Sequence, residues 1–265
     1  MQKSIALFLI INAVASSACA GAWLQPAGNG LFIVQASSFA SDAYYNRSGD
    51  KASQARYLKY ELQPYLEYGA GENLTVGGTA YWQYANQAGA YNYGIADPEI
   101  FLRTRLWIDE KQIVSLQPLI KFKTLYDETL SPRGGSSSTD SELSLLYGRN
   151  ILLLSPHDYL DIRVGYRHRS TELNDQIRAD VSLGLGLTES WKLIPAIRTV
   201  AATEFEPSND FTENGNQDYN LVKLELGASY VASSRHIIGV TLFNHVSGKQ
   251  VGDGRGLSLS ISHPF

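Results

Sequence analysis

Between positions 56 and 66 the apolar side chains Leu58, Tyr60, Leu62, Pro64 and Leu66 alternate with Lys59, Glu61, Gln63 and Tyr65. This is the two-residue period of a strand whose faces meet different surroundings. The same code returns along the chain. Leu74, Val76, Ala80, Trp82 and Tyr84 oppose Thr75, Thr79, Tyr81 and Gln83, and Ile100, Leu102, Thr104, Leu106 and Ile108 oppose Glu99, Phe101, Arg103, Arg105 and Trp107. Val114, Leu116, Pro118, Ile120 and Phe122 oppose Ser115, Gln117, Leu119, Lys121 and Lys123; Leu160, Ile162, Val164 and Tyr166 oppose Asp161, Arg163, Gly165 and Arg167. Ile177, Ala179, Val181, Leu183, Leu185 and Leu187 face away from Arg178, Asp180 and Ser182, and Leu257, Leu259, Ile261, His263 and Phe265 from Ser258, Ser260 and Ser262. Weaker stretches at 31–39, 141–150, 193–205, 220–231 and 237–244 bring the expected total to about twelve strands, an even number as closed bacterial membrane barrels require.

The connections sharpen this picture. Short turns at 69–73, 109–112, 155–158, 188–191 and 232–235 alternate with longer polar stretches at 41–55, 85–93, 125–140, 206–218 and 246–254, with a shorter outer member at 170–175. An up-and-down antiparallel barrel with both termini in the periplasm has that rhythm, short turns inside and long loops outside. Tyr68, Trp107, Tyr159, Trp191 and Tyr230 lie by the short turns, and Tyr44, Tyr45, Trp82, Tyr84, Tyr126, Tyr166 and Tyr219 toward the loops, as two interfacial girdles would. A soluble secreted sandwich or barrel also alternates, but it does not account for the asymmetry of turns and loops.

The N-terminus bears on compartment. Lys3, the apolar run from Ile5 to Ala15 and the small-x-small ending Ala18-Cys19-Ala20 form the pattern of a secretory signal. It predicts residues 1–20 as a cleaved signal peptide and residues 21–265 as an outer-membrane barrel. A lipoprotein cut before Cys19 is the rival reading, in which Ser16 stands where a larger apolar residue belongs. No run of about 20 apolar residues follows Gly21, so no membrane-spanning helix is expected. With 18% charged residues and a net charge of −4, the chain lacks the basic balance that nucleic acid demands. Its single Cys excludes a disulfide framework.

Two resemblances follow from particular residues. The terminal Ser260-Ile261-Ser262-His263-Pro264-Phe265 resembles the C-terminal signal, ending in Phe265, that outer-membrane barrels present to the barrel assembly machinery. The stretch from Gly94 through Asp97 to Arg103, Arg105 and Leu106 is similar to the Gly-x-x-Asp-x-x-x-x-x-Arg/Lys-x-Arg strand entry of the phenol-degradation-pathway (MetA-type) outer-membrane transporter-like barrels. That resemblance implies a barrel among outer-membrane lipid that passes small molecules.

If the apolar face meets lipid, the other face lines a lumen. Arg103, Arg105, Lys121 and Lys123 then form a basic ladder with Arg163, Arg167 and Arg169, and Glu61, Glu67, Glu99, Asp180, Glu204 and Glu225 are candidates to face it. Opposed walls of charge would orient a small polar or anionic solute and tune selectivity. The same charges pairing with one another would instead fill a closed interior, and both readings stand at this point. The 125–140 loop, with Gly134-Gly135-Ser136-Ser137-Ser138, is either an inward constriction or a surface loop. An enzymatic alternative starts at His245 and Ser247, two apart on a strand and so on one face. They resemble the His-x-Ser-Asn motif of outer-membrane phospholipases and lipid A deacylases, with Gly248 in place of Asn. No carboxylate beyond nearby Asp253 offers to orient the imidazole, and no enzyme is expected. A structural or secretion-associated barrel, for instance one serving polysaccharide export, is a third class. The five His are scattered without ligand spacing, so neither metal nor cofactor is expected.

Overall fold

The computed structural model describes residues 21–123, 125, 132, 138–170, 173–204, 218–233 and 235–265. Within them lie twelve strands: β1 (Gly30–Tyr45), β2 (Lys51–Gly71), β3 (Leu74–Gln87), β4 (Ala90–Ile108), β5 (Gln112–Lys121), β6 (Asp140–Ile151), β7 (Asp158–Arg169), β8 (Gln176–Gly186), β9 (Trp191–Ala202), β10 (Asn220–Ser233), β11 (His236–Lys249) and β12 (Val251–Pro264). Each pairs antiparallel with its neighbours in chain order, and β1 pairs with β12 to close the barrel. At that seam Gly30 and Phe265 exchange both backbone hydrogen bonds, 2.8 and 2.9 Å long.

The alternation runs inside out relative to a soluble protein. Leu102, Leu143, Leu145, Val164, Leu226 and Leu259 are each about half exposed on the outer surface, whereas Glu67, Arg103, Asp140, Glu142 and Arg167 are buried within. An apolar exterior around a polar interior is stable only with hydrocarbon outside, because water would leave the apolar band unburied. The protein is an outer-membrane β-barrel. Among the described residues no helix is long and apolar enough to cross a membrane.

The strands are longer than the pattern predicts, and this corrects the loop reading. About 9 to 11 tilted residues span a bilayer, yet β2 has 21 and β4 has 19. The expected long loops at 41–55, 85–93 and 246–254 are in fact strand, leaving turns of only 46–50, 88–89 and 250. Beyond the membrane both faces of a hairpin are wet, so side chains need not alternate while the backbone ladder continues. At 88–89, Ala88 and Gly89 both hold positive φ, 52° and 88°, which a two-residue primed hairpin turn requires. The girdles are also revised. Tyr68, Trp107, Trp191 and Tyr230 face outward on the terminal side, and Trp82, Tyr84 and Tyr166 on the opposite side, but Tyr159 and Tyr45 are buried. Lys192 lies 5.3 Å from the Tyr159 ring. Residues 1–20, Tyr126 and residues 134–137 lie outside the described residues.

Candidate functional site: the barrel lumen

The strand register determines which charges meet. On one rung Glu99 of β4, Lys121 of β5, Asp140 of β6 and Arg169 of β7 stand directly opposite one another in turn. On another, Arg163 of β7 opposes Asp180 of β8, which opposes Arg198 of β9. Signs therefore alternate around the barrel, and cross-strand neighbours neutralise each other. Arg167 is held by Glu142 at 2.7 Å and Glu99 at 2.9 Å; Lys121 lies 2.8 Å from Asp140, and Arg163 2.6 Å from Asp180. Arg198 and Lys223 reach Glu225 at 3.1 and 2.7 Å. The expected arrangement of a basic wall facing an acidic one is replaced by this interleaved belt. Sequence parity places the charges inward but leaves their height unknown, and height decides partners.

Individual residues distribute as follows. Arg103 is 1% exposed and meets Glu67 at 2.9 Å, while its Nε donates to Gln117 Oε1, also at 2.9 Å. Glu61 accepts from Lys59 at 3.1 Å and from Gln83 at 2.8 Å. Arg105 lies at the exposed end of β4 and hydrogen-bonds Asn73 in the β2–β3 turn, since a register shift between Arg105 and Trp107 breaks the alternation there. Lys123 is exposed just beyond β5, and Glu204 just beyond β9. Sequence reasoning missed Asp140, Glu142 and Arg198. The outward parity of Leu143, Leu145 and Tyr147 already implied that Glu142 points inward.

Toward the loops the lumen holds a vestibule of about 1030 Å³. Lys59, Arg163, Arg178, Arg198 and Lys223 line it, against the carboxylates Glu61, Asp180 and Glu225. Its other wall is aromatic: Phe39 stacks on Phe243 with centroids 6.2 Å apart and lies 4.8 Å from the His245 ring. His245 thus belongs to the vestibule, where its Nδ1 lies 2.8 Å from Gly252 O. Ser247 does not join it. In the β10–β11 ladder Lys223 opposes His245 and the adjacent Val222 opposes Ser247, so a bulge at Val246 puts the two side chains on opposite faces. The dyad geometry that a regular strand implies is lost.

The terminal end is occupied. Residues 21–29, which show no alternation, enter the lumen before β1. Gln25 N donates to Thr75 Oγ1 at 2.8 Å and Gln25 Nε2 to Glu67 Oε2 at 2.7 Å; Arg103 Nη1 donates to Trp23 O at 3.0 Å. Ser115 Oγ donates to Ala22 O at 2.7 Å, and Ala22 N to Asp161 Oδ1 of β7 at 3.3 Å. β7 is six strands from β1, the opposite wall. A Cβ on Gly148 would stand 2.8 Å from Trp23 Nε1 and 3.1 Å from Ala22 Cβ, so the wall thins to glycine where the segment passes. Above it, Leu31, Ile33, Tyr65, Phe101, Leu119 and Ile237 form an apolar cluster joining β1, β2 and β11 to β4 and β5. Among the described residues no group of His, Cys, Asp and Glu is arranged to hold a metal.

No family model matches the chain, and neither does any curated protein. Solved structures do. The chain is similar to the COG4313 outer membrane channel from Pseudomonas putida F1, with a TM-score of 0.77 at 12% identity, over 94% of this chain and 100% of that one. It is similar to the NanC porin, with a TM-score of 0.55 at 9% identity over 87% and 98% of the two chains. The KdgM porin in complex with disordered oligogalacturonate aligns with a TM-score of 0.50 at 9% identity over 88% and 99%. At such identities the likeness is one of fold, and that fold is the twelve-stranded outer-membrane barrel.

Proposed function

We propose that the protein is an outer-membrane channel for passive passage of small polar or anionic solutes. The observation that carries this reading is the vestibule, where five cationic side chains outnumber three carboxylates. A net positive lining in a low-dielectric wall concentrates anions and disfavours cations. The aromatic wall of Phe39 and Phe243 adds a surface for the apolar part of a solute. The likeness to channels and porins supports the same reading, as does the resemblance of the β4 entry to transporter-like barrels. Passage is narrow, because residues 21–29 and the apolar cluster occupy the terminal half. Phe265 is proposed to serve assembly machinery as well as the seam.

Single-channel recording of the mature protein in a planar bilayer tests this. Small stepwise currents whose reversal potential in a salt gradient shows anion preference are expected. A correctly folded barrel without current would assign the charges to structure, the reading that the complete pairing of Arg103 and Arg167 favours.

A further inference from the structure

Asp161 is a buried carboxylate, 6% exposed, on the lumen face of β7 near the terminal end. Its neighbours on the belt are matched with cations: Asp180 with Arg163, Asp140 with Lys121, Glu142 with Arg167. Asp161 differs. No Lys, Arg or His side chain among the described residues lies within ion-pair distance of it, and the group that reaches it is the backbone N–H of Ala22 at 3.3 Å. Arg103 and Arg198 act on it only from farther away, and a carboxylate so placed costs several kcal/mol unless it meets a positive charge or takes up a proton.

The sequence supplies such a charge at this place. Ala18-Cys19-Ala20 positions the expected cut before Gly21, the residue preceding the Asp161 contact. A Cβ on Gly21 would lie 4.0 Å from Asp161 Oδ2. Backbone bond lengths separate a Cβ from its own N by about 2.5 Å, so the Gly21 nitrogen stands within about 6.5 Å of that oxygen. Rotation of one terminal residue closes the remainder.

We infer that signal cleavage creates the partner of Asp161: the α-ammonium of Gly21 pairs with it and straps the N-terminal segment across the lumen. In this step a signal peptidase adds water across the Ala20–Gly21 peptide bond. Ala20 leaves with the carboxylate, and Gly21 keeps the nitrogen, protonated, as a new cation. Processing and completion of the lumen become one event. Before the cut the segment offers Asp161 only a neutral amide; after it, a full charge. From the start of β1 to β7 the strap crosses a barrel about 24 Å wide, from twelve strands about 4.8 Å apart tilted near 40°. Nine extended residues reach about 30 Å, enough for the crossing.

The test uses the full chain exported and isolated from the outer membrane, with heat-modifiable mobility to confirm folding. Intact mass and N-terminal sequencing should begin at Gly21; a start at another residue, or a lipidated Cys19, overturns the inference. The α-amine is then labelled with an amine-reactive ester. In the wild type its rate against pH should titrate above the ordinary α-amino range of about 7.7–8.0, because the ion pair favours the ammonium. In Asp161→Asn labelling at pH 7 should be about tenfold faster, one unit of pKa. Equal rates in the two proteins overturn the proposal. If Asp161→Asn does not fold, the wild-type profile decides alone, and an α-amine titrating at its ordinary value overturns it. None of these readouts depends on conduction, so a silent barrel leaves the strap testable.

Discussion

The lumen has two unlike walls. From β4 to β10 it is a belt of alternating charge, in which each buried guanidinium touches one or two carboxylates. From β11 through β12 to β3 it is mostly neutral, apart from Lys59, Glu61 and Glu67 of β2. Gln35 donates to Gln63 at 3.4 Å and Gln63 to Thr79 at 3.2 Å, Ser258 and Ser262 are buried, and Phe39 and Phe243 stack. Both walls satisfy most of their polar atoms, but by different physics. The neutral wall uses hydrogen bonds, each contributing about 0.5–1.5 kcal/mol net, and loses little where the partner left behind is only partly buried, as Gln35 and Thr79 are. In the charged wall desolvation and attraction nearly cancel, so its members contribute modestly as pairs and are costly to orphan. The charged wall is therefore rigid in composition, and the neutral one free to vary.

The largest effect that separates them is at Arg167. Arg167→Met leaves Glu99 and Glu142 buried together without their shared cation, a loss of about 3–5 kcal/mol. Gln63→Leu on the other wall should cost under about 1.5 kcal/mol. Urea titration of barrels folded in lipid vesicles, read by heat-modifiable mobility, compares the two. Equal losses would erase the distinction between the walls.

A second substitution asks whether a carboxylate on the charged side must have a cation. Asp158 opens β7 at the terminal-side turn. Its oxygens accept from the N–H groups of Leu153, Leu154, Ser155 and Gly186 at 2.5–3.1 Å. Burial raises its pKa, but the N–H donors of Leu154, Ser155 and Gly186 outweigh that and hold the carboxyl well below its usual range. Because the folded value is depressed, its stabilisation is complete above about pH 4, the unfolded value, and is lost as pH falls toward the folded one. Asp158→Asn should cost about 1.5–3 kcal/mol at pH 7, and the difference from wild type should shrink on acidification below pH 4. A gap independent of pH would show that shape rather than charge holds the turn.

How far the walls were legible in the sequence follows from what parity can say. Period-two alternation places Arg103, Glu67 and Arg163 inside and Leu102 and Val164 outside, because a side chain's face depends only on its own strand. Which charges meet depends on stagger between strands, and stagger rests on bulges such as those beside Ser41, Asp97 and Val246 that alternation does not mark. For that reason parity alone suggests opposed walls where the structure has a belt, and one face for His245 and Ser247 where a bulge separates them. Residues 21–29 were invisible for another reason: a segment inside a lumen has no outer face, so it leaves no periodic trace.

Selectivity should respond at the vestibule, where the charged wall meets solvent. Arg178 is less buried than its neighbours, with a side chain 21% exposed and Glu142 at 3.9 Å. Arg178→Gln should shift the reversal potential toward cations while costing under about 1 kcal/mol. Phe243→Ala, on the neutral wall, should leave the reversal potential unchanged and raise the current by removing a ring from the vestibule. If both variants change selectivity alike, the charges of the belt do not govern it. Arg163, Arg178 and Arg198 are the informative group for selectivity, since all three line the vestibule.

The smallest effects belong to the two basic residues that parity placed on the ladder but geometry puts at its ends. Arg105 hydrogen-bonds Asn73 in a turn, and Lys123 is exposed past β5. Arg105→Gln and Lys123→Gln should each change stability by no more than about 0.5 kcal/mol, as surface substitutions do. Their effect on reversal potential should vanish as salt rises above about 0.15 M, where screening acts within about 8 Å. Residues of the belt, shielded by protein on most sides, should keep their influence in the same salt. A salt series on Lys123→Gln and Arg178→Gln therefore measures where the lumen begins electrostatically. If Lys123→Gln persisted in high salt, the mouth of the barrel would have to extend past the end of β5.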